Sequence, residues 1–185
     1  MAEQPRQQNL TALGVSFTPG VGGQVVRGTG NTSPNASSII IGALVTDHSL
    51  GDITSLNMLV IANPLEYERI GYSNTTKLAS SVIVVTAQKS LMSPSINVSL
   101  YLQLRSNSKP NYEANLTCSY YDTSTHKWNS TQCTVPRNNS NRFECRCTHL
   151  STFALVWSRF TPFCNSQTEV TLENGTCSLK ENVQV

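Results

Sequence analysis

Cys145-Arg146-Cys147-Thr148-His149-Leu150-Ser151-Thr152-Phe153 places two cysteines, an imidazole and a hydroxyl within seven residues, and Ala154, Leu155, Val156 and Trp157 follow directly. A histidine two positions before a serine is spaced to take the hydroxyl proton, and a serine hydroxyl is a weak nucleophile without such a base. Attack on the carbonyl carbon of Leu150 would cut the chain between Leu150 and Ser151 and turn the apolar segment into a new N-terminus. Cys145-x-Cys147-x-His149 is also a conceivable metal set, but zinc motifs usually separate paired ligands by two to four residues, so no metal and no cofactor is expected.

Such a site needs rigid neighbours, and the flanking sequence supplies strands. Ile96, Val98, Leu100, Leu102 and Leu104 alternate with Asn97, Ser99, Tyr101, Gln103 and Arg105, a period of two that puts the aliphatic side chains on one face of a strand over 96–105. A turn over 107–111 leads to a second alternation, with Leu116, Cys118 and Tyr120 opposed to Asn115, Thr117 and Ser119. Upstream, Ile39–Val45, Leu56–Ala62 and the β-branched Val82–Val85 read as buried strands, the second stopped by Asn63-Pro64. Phe153–Trp157 is apolar at every position, which predicts a central strand covered on both faces. Residues 122–142 read as an irregular segment pinned by disulfides, and no strong amphipathic helix or internal repeat is visible.

The 185 residues suffice for one or two domains with a core. Only 13% are charged and the net charge is +2, too weak and scattered for nucleic acid or an anionic membrane surface. Nine Asn-x-Ser/Thr sequons, at Asn9, Asn31, Asn35, Asn74, Asn97, Asn115, Asn129, Asn138 and Asn174, favour an extracellular glycoprotein whose glycans supply the solubility that charges do not. The six cysteines, Cys118, Cys133, Cys145, Cys147, Cys164 and Cys177, read as a disulfide framework in an oxidising compartment. Among the first four, spacing alone allows three connectivities. No signal peptide or stretch of roughly twenty apolar residues is visible, so the chain is expected to be a piece of a longer secreted or membrane protein.

Cys118…Trp128…Cys133…Cys145-x-Cys147-x-His149-Leu150-Ser151-x-Phe153 resembles the GPCR proteolysis site (GPS). That motif ends the GAIN domain of adhesion G-protein-coupled receptors and also occurs in polycystins. The resemblance covers 118–157 specifically and 39–117 less distinctly. It implies an all-β, disulfide-stapled sandwich of the GAIN subdomain B type over 39–157. Residues 1–38 would be a Gly/Ser/Asn-rich leader or the first strands. Residues 158–185 would be an irregular polar tail without a transmembrane helix, in which Cys164 and Cys177 close a small loop.

The resemblance further implies the pairs Cys118–Cys145 and Cys133–Cys147, with Trp128 packed over them. It implies catalytic roles for His149, Leu150 and Ser151: His149 is the base, Ser151 the nucleophile and Leu150 the donor of the scissile carbonyl, in an N-to-O acyl shift followed by hydrolysis. Many family members carry Thr at the position of Ser151, and either hydroxyl is competent. Thr152, Phe153, Ala154, Leu155, Val156 and Trp157 would stay in the sheet after the cut as a tethered-agonist-like strand, anchored by Phe153 and Leu155. The expected partners are this strand, a receptor membrane domain in a longer parent, and an extracellular protein ligand, with no nucleic acid. The site would act once on itself and so is not an enzyme in the usual sense. A non-cleaving secreted adhesion or decoy module is the alternative. A hydrolase of external substrates is disfavoured, because only three histidines occur and there is no Gly-x-Ser-x-Gly elbow.

Overall fold

The computed structural model describes residues 10–29, 38–46, 50, 53–70, 76–89, 96–139, 142–159, 169–171 and 177–179. In chain order the elements are β1 (Leu10–Thr18), β2 (Gly22–Thr29), β3 (Ile41–Val45), β4 (Ile53–Ile61), α1 (Leu65–Ile70), β5 (Thr76–Leu78), β6 (Val82–Lys89) and β7 (Val98–Leu102). There follow β8 (Ala114–Asp122), β9 (Lys127–Asn129), β10 (Arg137–Asn139), β11 (Arg142–Cys147), β12 (Thr152–Arg159), β13 (Glu169–Thr171) and β14 (Cys177–Leu179). One antiparallel sheet runs β10-β11-β7-β3-β1-β2, and the other runs β4-β6-β12-β8-β9 with β5 also paired to β12. The fold is the all-β, disulfide-stapled sandwich expected from the sequence.

The main core lies between the sheets. Val98, Leu100 and Leu102 of β7 face Cys118 of β8, Ile83 and Val85 of β6, and Phe153 and Leu155 of β12. Period-two alternation produces this layer, since every second side chain of a strand reaches the same face. The second sheet is apolar on its outer face too, where Leu78, Val82, Ala154 and Val156 are covered by Tyr67 of α1 and by Trp128.

Several elements differ from expectation, for physical reasons. The strand expected over 96–105 is Val98–Leu102, because the chain then leaves its sheet: Leu104 bridges Ser80, and the Arg105 amide donates to the Ala79 carbonyl at 2.8 Å. Tyr101, expected on a polar face, is buried beneath the Arg142 guanidinium, which stands 4.5 Å from its ring centroid. Asn63-Pro64 ends β4 as expected and also starts α1, a helix too short to show as a periodic pattern, with Glu66 and Glu68 at its positive end.

Residues 10–29 form a hairpin that joins the first sheet through β1–β3 pairing. Its turn is made by Gly20 and Gly22, whose φ values of 81° and 100° suit glycine alone. Gly14 lies where β1 and β3 approach so closely that a Cβ would collide with the Ala43 carbonyl oxygen. In the tail, expected to be irregular, β13 and β14 pair as a two-stranded ribbon. Among the described residues no helix is long and apolar enough to cross a membrane.

Candidate functional site

His149, Leu150 and Ser151 lie in a corner where the chain changes sheet. β11 ends at Cys147 against β7 of the first sheet, and β12 begins at Thr152 against β6 and β8 of the second. Four residues, 148–151, make the crossing. Its entry is clamped to the neighbouring loop: the Thr148 amide donates to the Gln132 carbonyl at 3.2 Å and the Thr134 amide to the Arg146 carbonyl at 2.8 Å. The Cys133–Cys147 disulfide fastens the same point. Its exit is held by the Val85 amide, which donates to the Ser151 carbonyl at 2.9 Å.

The His149 imidazole forms a T-shaped pair with Tyr120, with centroids 4.5 Å apart and planes at 85°, and is tilted on Phe153 at 5.6 Å. Both ring nitrogens are buried and neither has a hydrogen-bond partner. The imidazole is therefore not hydrogen-bonded to the Ser151 hydroxyl. Burial pushes the His149 pKa below its ordinary value, since desolvation disfavours the imidazolium. The result is a ring biased to the neutral, proton-accepting form. Leu150 packs partly buried against the main core and Ser151 is half-buried.

From Ser151 onward the chain enters the interior. Phe153, Ala154, Leu155 and Val156 are at most 1% exposed. Phe153, Leu155 and Trp157 face the inter-sheet core, while Ala154 and Val156 face the outer cluster. One side of β12 pairs with β8 from Phe153 to Arg159. Its other side pairs with β6 at Thr152 and Phe153 and with β5 from Val156 to Ser158. The gap between β5 and β6 is spanned at Leu155: the Ala79 amide donates to its carbonyl at 2.8 Å, and its amide donates to the Ser80 hydroxyl oxygen at 2.9 Å.

The disulfides divide the structural work. Cys118–Cys145 joins β8 to β11 and so ties the two sheets together, with Cα atoms 5.8 Å apart. Cys133–Cys147 holds the 130s loop to the strand that enters the corner. These are the pairs the resemblance implied. Trp128 is a correction: it packs on the outer face of the second sheet with Tyr67 and Tyr121, 6.1 Å and 5.5 Å between centroids, across the sheet from both disulfides. β9 pairs with β8 so that Trp128 stands opposite Tyr121, which carries the indole to the face away from Cys118.

Cys145 and Cys147 are oxidised in these bridges and offer no thiolate to a metal, and the described residues contain no metal-ligand cluster. Of the expected Cys164–Cys177 pair, Cys164 lies outside the described residues, as do Asn9, Asn31, Asn35, Asn74 and Asn174. Asn97, Asn115 and Asn138 are exposed. Asn129 is half-buried, and its side-chain oxygen accepts from the Thr131 amide at 3.0 Å. Sequence reasoning missed two residues of the site. Tyr120 gave no signal beyond its place in an alternating strand. Ser80 did give one: a polar pair, Ser80-Ser81, interrupts an otherwise apolar run from Leu78 to Val85.

The GPS family, described as GAIN subdomain B, matches residues 23–160, well over half of the chain. Among curated proteins, none matches.

Proposed function

The chain belongs to the GPS family as a GAIN subdomain B, and on that premise we propose that it is an extracellular, self-cleaving domain of an adhesion-receptor-like protein. His149 takes the proton of the Ser151 hydroxyl as that oxygen attacks the Leu150 carbonyl carbon. A C–O bond forms, the Leu150–Ser151 C–N bond breaks, and the imidazolium returns the proton to the departing Ser151 nitrogen. Water then hydrolyses the Leu150–Oγ ester, leaving a Leu150 carboxylate and a free Ser151 amine and hydroxyl. The chain acts once on itself and needs no cofactor.

The observation that carries this reading is the corner itself. An imidazole whose pKa burial lowers, with two unpartnered nitrogens, lies two residues before a serine that leads into a strand buried from Phe153 to Val156. After the cut, burial and ladder hydrogen bonds keep residues 151–157 in the sheet. Pulled out, that strand would serve as a tethered agonist for a receptor membrane domain. The disulfides and exposed sequons agree with an extracellular setting.

A second reading, a non-cleaving adhesion or decoy module, is favoured by one observation: the His149 ring makes no hydrogen bond to Ser151. Intact mass and reducing, denaturing electrophoresis of deglycosylated protein from a secretory host separate the two. A split between Leu150 and Ser151 that disappears in Ser151→Ala supports self-cleavage. A single chain in both supports the non-cleaving module.

A further inference from the structure

We infer that Ser80 is the latch that sets how firmly β12 is retained in the sandwich. The inference deepens the proposed function, on which it rests for the consequence of strand release. Ser80 lies in the 79–81 segment between β5 and β6, and both Ala79 and Ser80 are fully buried. The ladders along this side of β12 leave a gap here, since β6 covers Thr152 and Phe153 and β5 begins at Val156, and the Ala79 amide on the Leu155 carbonyl is joined in that gap by the Ser80 side chain. At Leu155 the Ser80 hydroxyl stands where a ladder carbonyl would otherwise accept.

The hydroxyl is engaged both as acceptor and as donor. It accepts from the Leu155 amide at 2.9 Å and donates to the Ser81 carbonyl at 2.7 Å, which turns the O–H away from β12 and leaves a lone pair to face the strand. The same segment is anchored away from β12 by the Ser80–Leu104 bridge and by the Arg105 amide on the Ala79 carbonyl at 2.8 Å. The latch is therefore mounted on the chain that leaves β7, and it grips the middle of the strand whose release would matter. A backbone acceptor is supplied by any residue, but this one disappears with a single side chain. Leu155 is 0% exposed, so its amide finds no water in exchange. The adjacent Ser81 hydroxyl, also buried, has no hydrogen-bond partner and serves as an internal control.

The test is residue-resolved amide hydrogen exchange on the secreted protein as produced, comparing wild type, Ser80→Ala and Ser81→Ala, with release of the Ser151-initiated fragment in graded urea as a second readout. Ser80→Ala is expected to speed Leu155 exchange by about tenfold or more relative to the Leu44 and Leu100 amides of the first sheet, and to speed fragment release by a similar factor. Ser81→Ala should leave both near wild type. Unchanged Leu155 exchange in Ser80→Ala, or an equal acceleration across both sheets, overturns the latch. If the wild-type chain proves uncut, the self-cleavage reading fails separately, while hydrogen exchange still decides the latch. If Ser80→Ala is not secreted, the same exchange experiment on Ser80→Cys, a near-isosteric and weaker acceptor, decides it in the same way.

Discussion

The His149 imidazole and the Tyr120 ring form a T-shaped pair, with centroids 4.5 Å apart and planes nearly perpendicular at 85°. Tyr120 belongs to β8 and pairs directly with Phe153 of β12, so the ring that positions His149 is fixed by the strand that follows the proposed cut. Replacing Tyr120 by Ala opens the imidazole to water. The His149 titration midpoint followed by NMR should rise toward its ordinary value, and self-cleavage should slow by roughly 10- to 100-fold, the sensitivity expected of a misplaced base. Tyr120→Phe keeps the ring and should preserve both.

Burial lowers the His149 pKa in the folded state relative to the unfolded one. As pH falls below the ordinary imidazole value of about 6.5, the unfolded chain therefore takes up this proton before the folded one does. The contribution of His149 to stability is complete above that pH and is lost as pH falls through the lower, folded pKa. Urea midpoints measured in the uncut Ser151→Ala background should fall between pH 7.5 and 5, and fall less when His149 is also replaced by Gln. An equal fall with and without His149 would contradict the assignment.

The two disulfides should separate stability from cleavage. Cys118–Cys145 closes the longer loop, 27 residues against 14 for Cys133–Cys147. The chain-entropy relation gives roughly 3.6 and 3.0 kcal/mol respectively. Cys118→Ala/Cys145→Ala should therefore lower chemical stability somewhat more. Cys133→Ala/Cys147→Ala should slow cleavage more, because Cys147 lies two residues before His149. Denaturation midpoints and the cleaved fraction, measured on the same preparations, check both orders.

Phe153 is completely buried and packs against His149 as well as the inter-sheet core. Phe153→Ala should cost about 3–5 kcal/mol of stability, the usual range for a buried aromatic. If the chain is cut, the same substitution should also shorten the lifetime of the two-fragment complex, read by size-exclusion chromatography under mild urea.

Much of the fold was legible because its signals are local. Alternation over 96–105 and 115–120 identified two strands whose inward faces hold from Ile96 to Leu102 and from Leu116 to Tyr120, while Leu104 is exposed where the chain leaves the sheet. The all-apolar Phe153–Trp157 run correctly indicated a strand covered on both sides. The site residues were legible as a spacing, but not as a geometry. Trp128 was misplaced because a strand fixes only which of two faces a side chain takes, and the β8–β9 register chose the outer one. α1 escaped notice because six residues carry too little periodicity to register.

The sequence by itself determined the chemistry available: an imidazole two residues before a serine, cysteines on either side of a sheet-forming stretch, and an apolar strand that must be buried. Those properties belong to residue type and short spacing. Only the tertiary structure decided that the corner carries the chain from one sheet to the other, that Tyr120 and Phe153 enclose His149, and that Ser80 completes the hydrogen bonding of Leu155. The contacts of Tyr120 with His149 and of Ser80 with Leu155 join residues far apart in the chain, the latter pair separated by 75 positions. Such pairings follow from how two sheets pack and register, a property of the whole fold that no local pattern encodes.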